Sequence, residues 1–181
     1  MRVSVLIPTF RRAESFRRAA LSVFAQDDLS GVELIAVDNS PEGSALAIFR
    51  ALETVAPIPF RWTHEPAPGV ANARNAALRF ARGDLVAWLD DDEEATPTWL
   101  AALVRQRRET GAQSVFGPVR AHAEGAQRAF YENLYSRTGP RESGVIATPF
   151  GMGNSLQPLA MFDSAAPFDP RANQTGGEDD T

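Results

Sequence analysis

The chain has 181 residues, 44% of them hydrophobic, which suffices for one domain with a sizeable core and argues against global disorder. Its 23 acidic and 18 basic residues give a net charge of −5, so no broad field attracts nucleic acid or an anionic membrane. Cysteine is absent, which excludes disulfides, thiolate catalysis and cysteine-ligated metals and leaves oxygen ligands for any metal. The opening Met1-Arg2-Val3-Ser4-Val5-Leu6-Ile7-Pro8 is too brief and wrongly flanked for a signal peptide. No stretch reaches membrane-spanning length, so the expectation is a cytoplasmic chain with no integral membrane segment and no nucleic-acid partner. Asn173-Gln174-Thr175 has the form of a glycosylation acceptor, and without a secretion signal it is given no weight.

In chain order, Val3 to Ile7, Val32 to Val37, Phe60 to Thr63 and Leu85 to Leu89 read as strands whose near-continuous hydrophobicity suits burial on both faces. Helix-period segments lie between them. Glu14 to Ala25 places Phe16, Ala20, Val23 and Phe24 on one face, and Ala45 to Leu52 and Asn72 to Ala81 repeat the spacing. Such alternation builds a parallel sheet through right-handed crossovers. A further helix is predicted after Thr96, as N-cap, and Pro97, as first helical residue, running towards Arg108 with Trp99, Leu100, Leu103 and Val104 inward. Beyond Gly111, Ser114 to Val119 suggests a strand, Ala126 to Tyr135 an amphipathic helix and Arg137 to Gly144 a polar loop.

The residue pattern richest in chemistry is Trp88-Leu89-Asp90-Asp91-Asp92-Glu93-Glu94, in which a buried strand delivers five consecutive carboxylates into a loop. Crowding of that kind is costly without cations. Ligands of open parallel sheets bind at the carboxyl ends of strands, and a hard divalent cation takes carboxylate oxygens together with substrate phosphates. A solvated acidic turn capping a helix N-terminus is the plainer reading, and Glu93 and Glu94 suit it. Two more polar clusters share the same sheet edge: Pro8-Thr9-Phe10-Arg11-Arg12 after the first strand and Val37-Asp38-Asn39-Ser40 after the second. Asp38 suits acceptance of hydrogen bonds from a uracil or ribose, or a helix-capping Asx turn. Arg11 or Arg12 suits neutralisation of a phosphate, or ordinary surface charge.

Taken in order, Val5-Leu6-Ile7-Pro8-Thr9-Phe10, Ala36-Val37-Asp38-Asn39-Ser40, Gly69-Val70-Ala71-Asn72-Ala73-Arg74-Asn75-Ala76-Ala77, and Gly83-Asp84 leading into Leu89-Asp90-Asp91-Asp92 resemble the motifs of inverting family-2 glycosyltransferases. Gly176-Gly177-Glu178-Asp179-Asp180 resembles the later motif that carries that family's catalytic base. The resemblance implies an α/β, GT-A fold, a Rossmann-like α/β/α sandwich with a mostly parallel central sheet. It implies a nucleotide-diphosphate sugar donor, with UDP as the default nucleotide, a Mg²⁺ or Mn²⁺ cofactor, and a hydroxyl acceptor such as a saccharide or lipid-linked glycan. By the same likeness Thr9 and Asp38 fall at the nucleobase, Arg74 near the base or diphosphate, and Asp91 at the ribose or the metal shell. Asp92 becomes the direct metal ligand of an Asp90-Asp91-Asp92 DxD signature, Asp90 a less defined member of the donor site, and Asp179 the base, with Glu178 and Asp180 as competitors. Residues 1–110 are then expected to form the donor-binding half and 111–181 the start of an acceptor-side half, ending at the base motif as a truncated chain would.

The chemistry calls for these parts. An acceptor oxygen attacks the anomeric carbon from the face opposite the leaving diphosphate, which needs a positioned carboxylate base, while a cation offsets charge on the diphosphate. Asn72 also suits a plain helix cap. Gly151-Met152-Gly153-Asn154-Ser155 is a small-residue turn suited to close approach to a donor sugar, or simply a turn. His64 and His122 lack partner spacing and are assigned no catalytic or metal role. Trp62, Trp88 and Trp99 read mostly as core, although an aromatic near the site could stack on a sugar or base. Two other enzymes fit less well: a magnesium-dependent phosphotransferase wants an aspartate where Pro8-Thr9 stands, and a nicotinamide dehydrogenase wants a Gly-x-Gly-x-x-Gly after strand one. The non-enzyme alternative is a module that binds the nucleotide sugar without transferring it.

Overall fold

The computed structural model describes residues 1–140, 142–145, 151–164 and 166–174. Among these residues six strands form one sheet: β1 (Val3–Thr9), β2 (Val32–Asp38), β3 (Phe60–His64), β4 (Leu85–Trp88), β5 (Val115–Phe116) and β6 (Ser155–Pro158), in the order β3-β2-β1-β4-β6-β5. The first four are mutually parallel. β1 is central, running Val3↔Val32 to Thr9↔Asp38 against β2 and Val3↔Leu85 to Leu6↔Trp88 against β4. β6 is antiparallel to both β4 and β5.

Side chains alternate across the sheet and so feed two cores. Val5 and Ile7 of β1 face one side with Phe16, Val23, Phe49 and Leu100, which come from α1 (Ala13–Phe24), α2 (Leu46–Glu53) and α4 (Trp99–Thr110). Phe16 and Phe49 meet edge to face with ring centroids 4.8 Å apart. Leu6 faces the other side with Ile35, Val37, Val86 and Trp88, covered by Ala73, Ala76 and Ala77 of α3 (Val70–Leu78). The alanines bring that helix close to β1 and β2, so its first turns stand beside the carboxyl end of β1. This is the expected α/β/α sandwich with a largely parallel sheet.

Four details differ from the expectation. α4 begins at Trp99, not at Pro97, and its first turn is capped from outside the helix, the Leu100 amide donating to Gln26 Oε1 at 3.0 Å. The carbonyls ahead of it are spent on the end of α1: Gln26 Nε2 donates to Thr96 at 2.7 Å and the Asp27 amide to Pro97 at 2.9 Å. α3 is preceded by Gly69, with Asn72 inside the helix, donating to the carbonyls of Ala67 and Pro68. The strand anticipated over Ser114 to Val119 contracts to β5, with Val119 bridging Arg137. β6 follows the Gly151–Ser155 turn, where no strand was expected. α5 (Arg128–Tyr135) is present, with Phe130, Leu134 and Tyr135 exposed. Among the described residues no helix is long and apolar enough to cross a membrane.

Candidate active site

At the carboxyl ends of the parallel strands lies a cleft of about 370 Å³, lined by Pro8, Thr9, Phe10, Arg12, Asn39, Val70, Ala73, Arg74, Asp90, Asp91 and Asp92. Of the residues singled out from sequence, Thr9, Arg74, Asp90, Asp91 and Asp92 therefore meet in one place. Three elements bring them there: β1 ends at Thr9, β4 runs out into the aspartates, and the first turns of α3 carry Arg74.

Thr9 Oγ1 donates to Asp91 Oδ2 at 2.6 Å, a buried hydrogen bond joining the ends of two neighbouring strands. Burial pushes the Asp91 carboxyl above its ordinary value, opposed by the Thr9 hydroxyl and the Arg12 charge. Arg12 Nη1 spans the pair, 3.3 Å from Asp91 Oδ1 and 2.7 Å from Asp92 Oδ2. Asp92 is the open member, with 54% of its side chain exposed. Asp90 turns towards Gly153, where a Cβ would overlap its carboxylate. The Gly151–Ser155 turn thus approaches the acidic loop closely, and Gly153 is the residue that permits it.

Glu93 extends the cluster inward. Its Oε1 lies 3.3 Å from Arg137 Nη2, while Oε2 is buried without a hydrogen-bond partner among the described residues. Burial first, then the charge of Asp90, push its carboxyl up to about 7, although Arg137 pulls the other way. Crowded carboxylates with an unsatisfied buried oxygen are a setting that an added cation relieves. Among the described residues, no group of three or more His, Asp or Glu side chains forms a cation cage. The donor set fits an ion that takes one or two carboxylates here and its other oxygens from substrate and water.

Asp38 does not line the cleft. It is fully buried: Oδ1 accepts from the Ser40 amide at 2.9 Å and hydroxyl at 2.7 Å, and Oδ2 from the Ala45 amide at 2.6 Å. Asn39 lines the cleft instead, with its amide group donating to the carbonyls of Glu65 and Ala67 and accepting from the Gly69 amide at 2.7 Å. It thereby sets the loop that enters α3. Of the two arginines after β1, Arg12 faces the cleft; Arg11, in the left-handed region with φ 57°, points outward to Glu42. Phe10, Asn39, Val70 and Ala73 were not singled out as site residues, although all stand within the quoted motifs. Asp179, Glu178 and Asp180 lie outside the described residues. His64 Nε2 donates to the Ser40 carbonyl at 2.7 Å, and His122 is exposed beside Glu132; neither lines the cleft.

A family model described as Glycosyl transferase family 2 matches residues 4–163. The chain belongs to glycosyl transferase family 2. A relative within the family's reach, succinoglycan biosynthesis protein ExoM of Rhizobium meliloti (strain 1021), is 35% identical over 184 residues, covering 99% of this chain and 59% of that protein. The solved structure of S. aureus TarS 1-349 in complex with UDP superposes with a TM-score of 0.72 at 17% identity, covering 99% of this chain and 53% of that one. That likeness establishes the GT-A fold. The mannosyltransferase PcManGT from Pyrobaculum calidifontis, solved with GDP-Man and Mn2+, superposes with a TM-score of 0.60 at 28% identity, covering 66% of this chain and 36% of that one. This family-2 chain thus spans somewhat more than half the length of its curated relative ExoM.

Proposed function

We propose that the cleft is the donor site of a glycosyltransferase that moves a sugar from a nucleotide diphosphate to a hydroxyl acceptor with inversion at the anomeric carbon. The observation that carries this reading is the meeting of Arg12, Arg74 and the Asp90-Asp91-Asp92 run in one cleft at the strand ends. Guanidinium groups beside carboxylates suit a diphosphate that arrives with a divalent cation. Asp92, the exposed carboxylate, would hold Mg²⁺ or Mn²⁺, with Asp90 and Asp91 beside it. When bound, the ion stabilises the charge that gathers on the departing diphosphate.

The chain's own residues do the remaining work. Thr9 fixes the Asp91 carboxylate through its 2.6 Å hydrogen bond, so that loop need not reorganise as charge develops. Arg12 and Arg74 bind and orient the diphosphate oxygens. Phe10, exposed at the rim, offers a ring for the base to stack on. Asp38 acts from behind by building the turn that carries Asn39. On the family likeness Asp179 takes the acceptor proton. UDP is the default nucleotide; TarS was solved with UDP and PcManGT with GDP-Man and Mn2+. Residues 1–110 form the donor half in this reading and the rest begins the acceptor side.

Calorimetric titration of UDP, GDP and dTDP into the chain, with Mn²⁺ and again with EDTA, tests it. One nucleotide should bind tightly with the ion and lose that affinity with EDTA. A folded chain that binds none of the three overturns the reading. Metal-dependent binding without turnover, with sugar donor and acceptor supplied, would favour a binding module.

A further inference from the structure

Resting on the donor-site reading above, we propose that Phe168 is a positioning residue for Arg74, held in place by a strap that α3 grips at two points.

Arg74 is 4% exposed yet lines the cleft. Its long side chain has many rotamers, and a ligand-facing guanidinium must be steadied from the side the ligand does not occupy. Phe168, which does not line the cleft, packs against the guanidinium, its ring centroid 5.5 Å from Arg74 Cζ. The ring is itself wedged, with centroids 5.7 Å from Trp88 at 87° and 5.8 Å from Phe162 at 27°. Its backbone is pinned as well. Asn75 Oδ1 accepts from the Phe168 amide at 3.0 Å and Asn75 Nδ2 donates to the Phe168 carbonyl at 2.8 Å, so one side-chain amide satisfies both backbone groups of one residue.

Further along, Asn173 Oδ1 accepts from the Ala71 amide at 2.9 Å. α3 has no side-chain cap of its own, because Gly69 precedes it. Asn173 supplies an acceptor from a distant part of the chain, lying where a Cβ on Gly69 would be. The two ties, at Ala71 and Asn75, bracket Arg74 on the helix. Phe168 as mere core filling predicts a change in stability alone; Phe168 as a positioning residue predicts a selective change in diphosphate recognition.

The test is titration of UDP and of uridine, both with Mn²⁺, into wild type, Phe168→Leu, Phe168→Tyr, Arg74→Gln and the Phe168→Leu/Arg74→Gln double variant. Leucine keeps apolar bulk and tyrosine keeps the ring. Phe168→Leu should weaken UDP roughly three- to thirtyfold, the range of a desolvated cation–π contact, and leave uridine unchanged. Phe168→Tyr should match wild type, and Phe168→Leu should cause no further loss once Arg74 is glutamine. Equal losses for UDP and uridine, or losses that multiply in the double variant, overturn the proposal. A readout free of nucleotide is the Arg74 Nε–H proton resonance, identified by its absence in Arg74→Gln. Ring current from Phe168 should hold it upfield in wild type and Phe168→Tyr but not in Phe168→Leu. No such displacement overturns the proposal whatever the nucleotide does. A displaced signal in a chain that binds no nucleotide overturns the donor-site reading and leaves the Phe168–Arg74 contact standing.

Discussion

Replacing Glu93 by glutamine should stabilise the metal-free chain above neutral pH. The wild-type carboxyl rises from an ordinary 4.5 to about 7 in the fold, chiefly through burial and the Asp90 charge. An acid whose folded value is raised holds its proton longer folded than unfolded, so stability falls as pH climbs from 4.5 towards 7. That rise is worth about 3 kcal/mol at full effect, and with only 13% of the side chain exposed little of it is lost to solvent screening. Glutamine keeps the neutral shape and removes the titration. Urea unfolding in EDTA, followed by tryptophan fluorescence, should find Glu93→Gln close to wild type near pH 4 and more stable by about 2–3 kcal/mol at pH 8. Mn²⁺ should narrow the gap by favouring the ionised carboxylate. A variant no more stable than wild type at pH 8, or a difference that does not change with pH, would refute the electrostatic argument for a cation-poor acidic loop.

Asp92→Asn should abolish metal-dependent donor binding in calorimetry while leaving the melting temperature nearly unchanged, since the side chain is largely exposed. Asp179→Asn should spare donor binding and remove transfer in a product assay; full activity would pass the role of base to a neighbour. Gly153→Ala should push the Asp90 carboxylate from its place, costing about 1–3 kcal/mol in unfolding experiments and weakening Mn²⁺-dependent UDP binding at least roughly tenfold. Asp38→Ala should cost on the order of 3 kcal/mol, because the Ser40 and Ala45 amides lose a buried charged acceptor. Uridine affinity that collapses with stability intact would instead restore a direct contact between Asp38 and the base.

Much of the frame was legible because buried parallel strands announce themselves. Val5-Leu6-Ile7 and Ile35-Ala36-Val37 are apolar on both faces, and both faces are covered by helices. β1 and β2 run to Thr9 and Asp38, slightly beyond the expected ends, since the ladder continues into the polar residues at the cleft. β6 was not legible: Ser155-Leu156-Gln157-Pro158 is four residues with one large apolar side chain, and its pairing is made with β4 and β5 far away in the chain. The N-terminal caps of α3 and α4 were misjudged for a related reason. Local rules named Asn72 and Thr96, whereas the Ala71 and Leu100 amides donate to Asn173 and Gln26, which reach in from elsewhere in the chain.

The same division runs through the site. Sequence by itself determined which chemistry the chain can offer: no thiolate, a run of aspartates at a strand end, arginines near it, and ordered motifs sufficient to name the family. Those are properties of residue type and order. Tertiary structure alone decided which groups share the cleft. Arg12 enters and Arg11 does not, Asn39 lines it while Asp38 is consumed by amides, Glu93 turns inward, and Phe168 arrives behind Arg74. Side-chain direction and burial depend on partners distant along the chain, and a carboxylate or guanidinium keeps the same letter whether it faces a ligand or its own backbone.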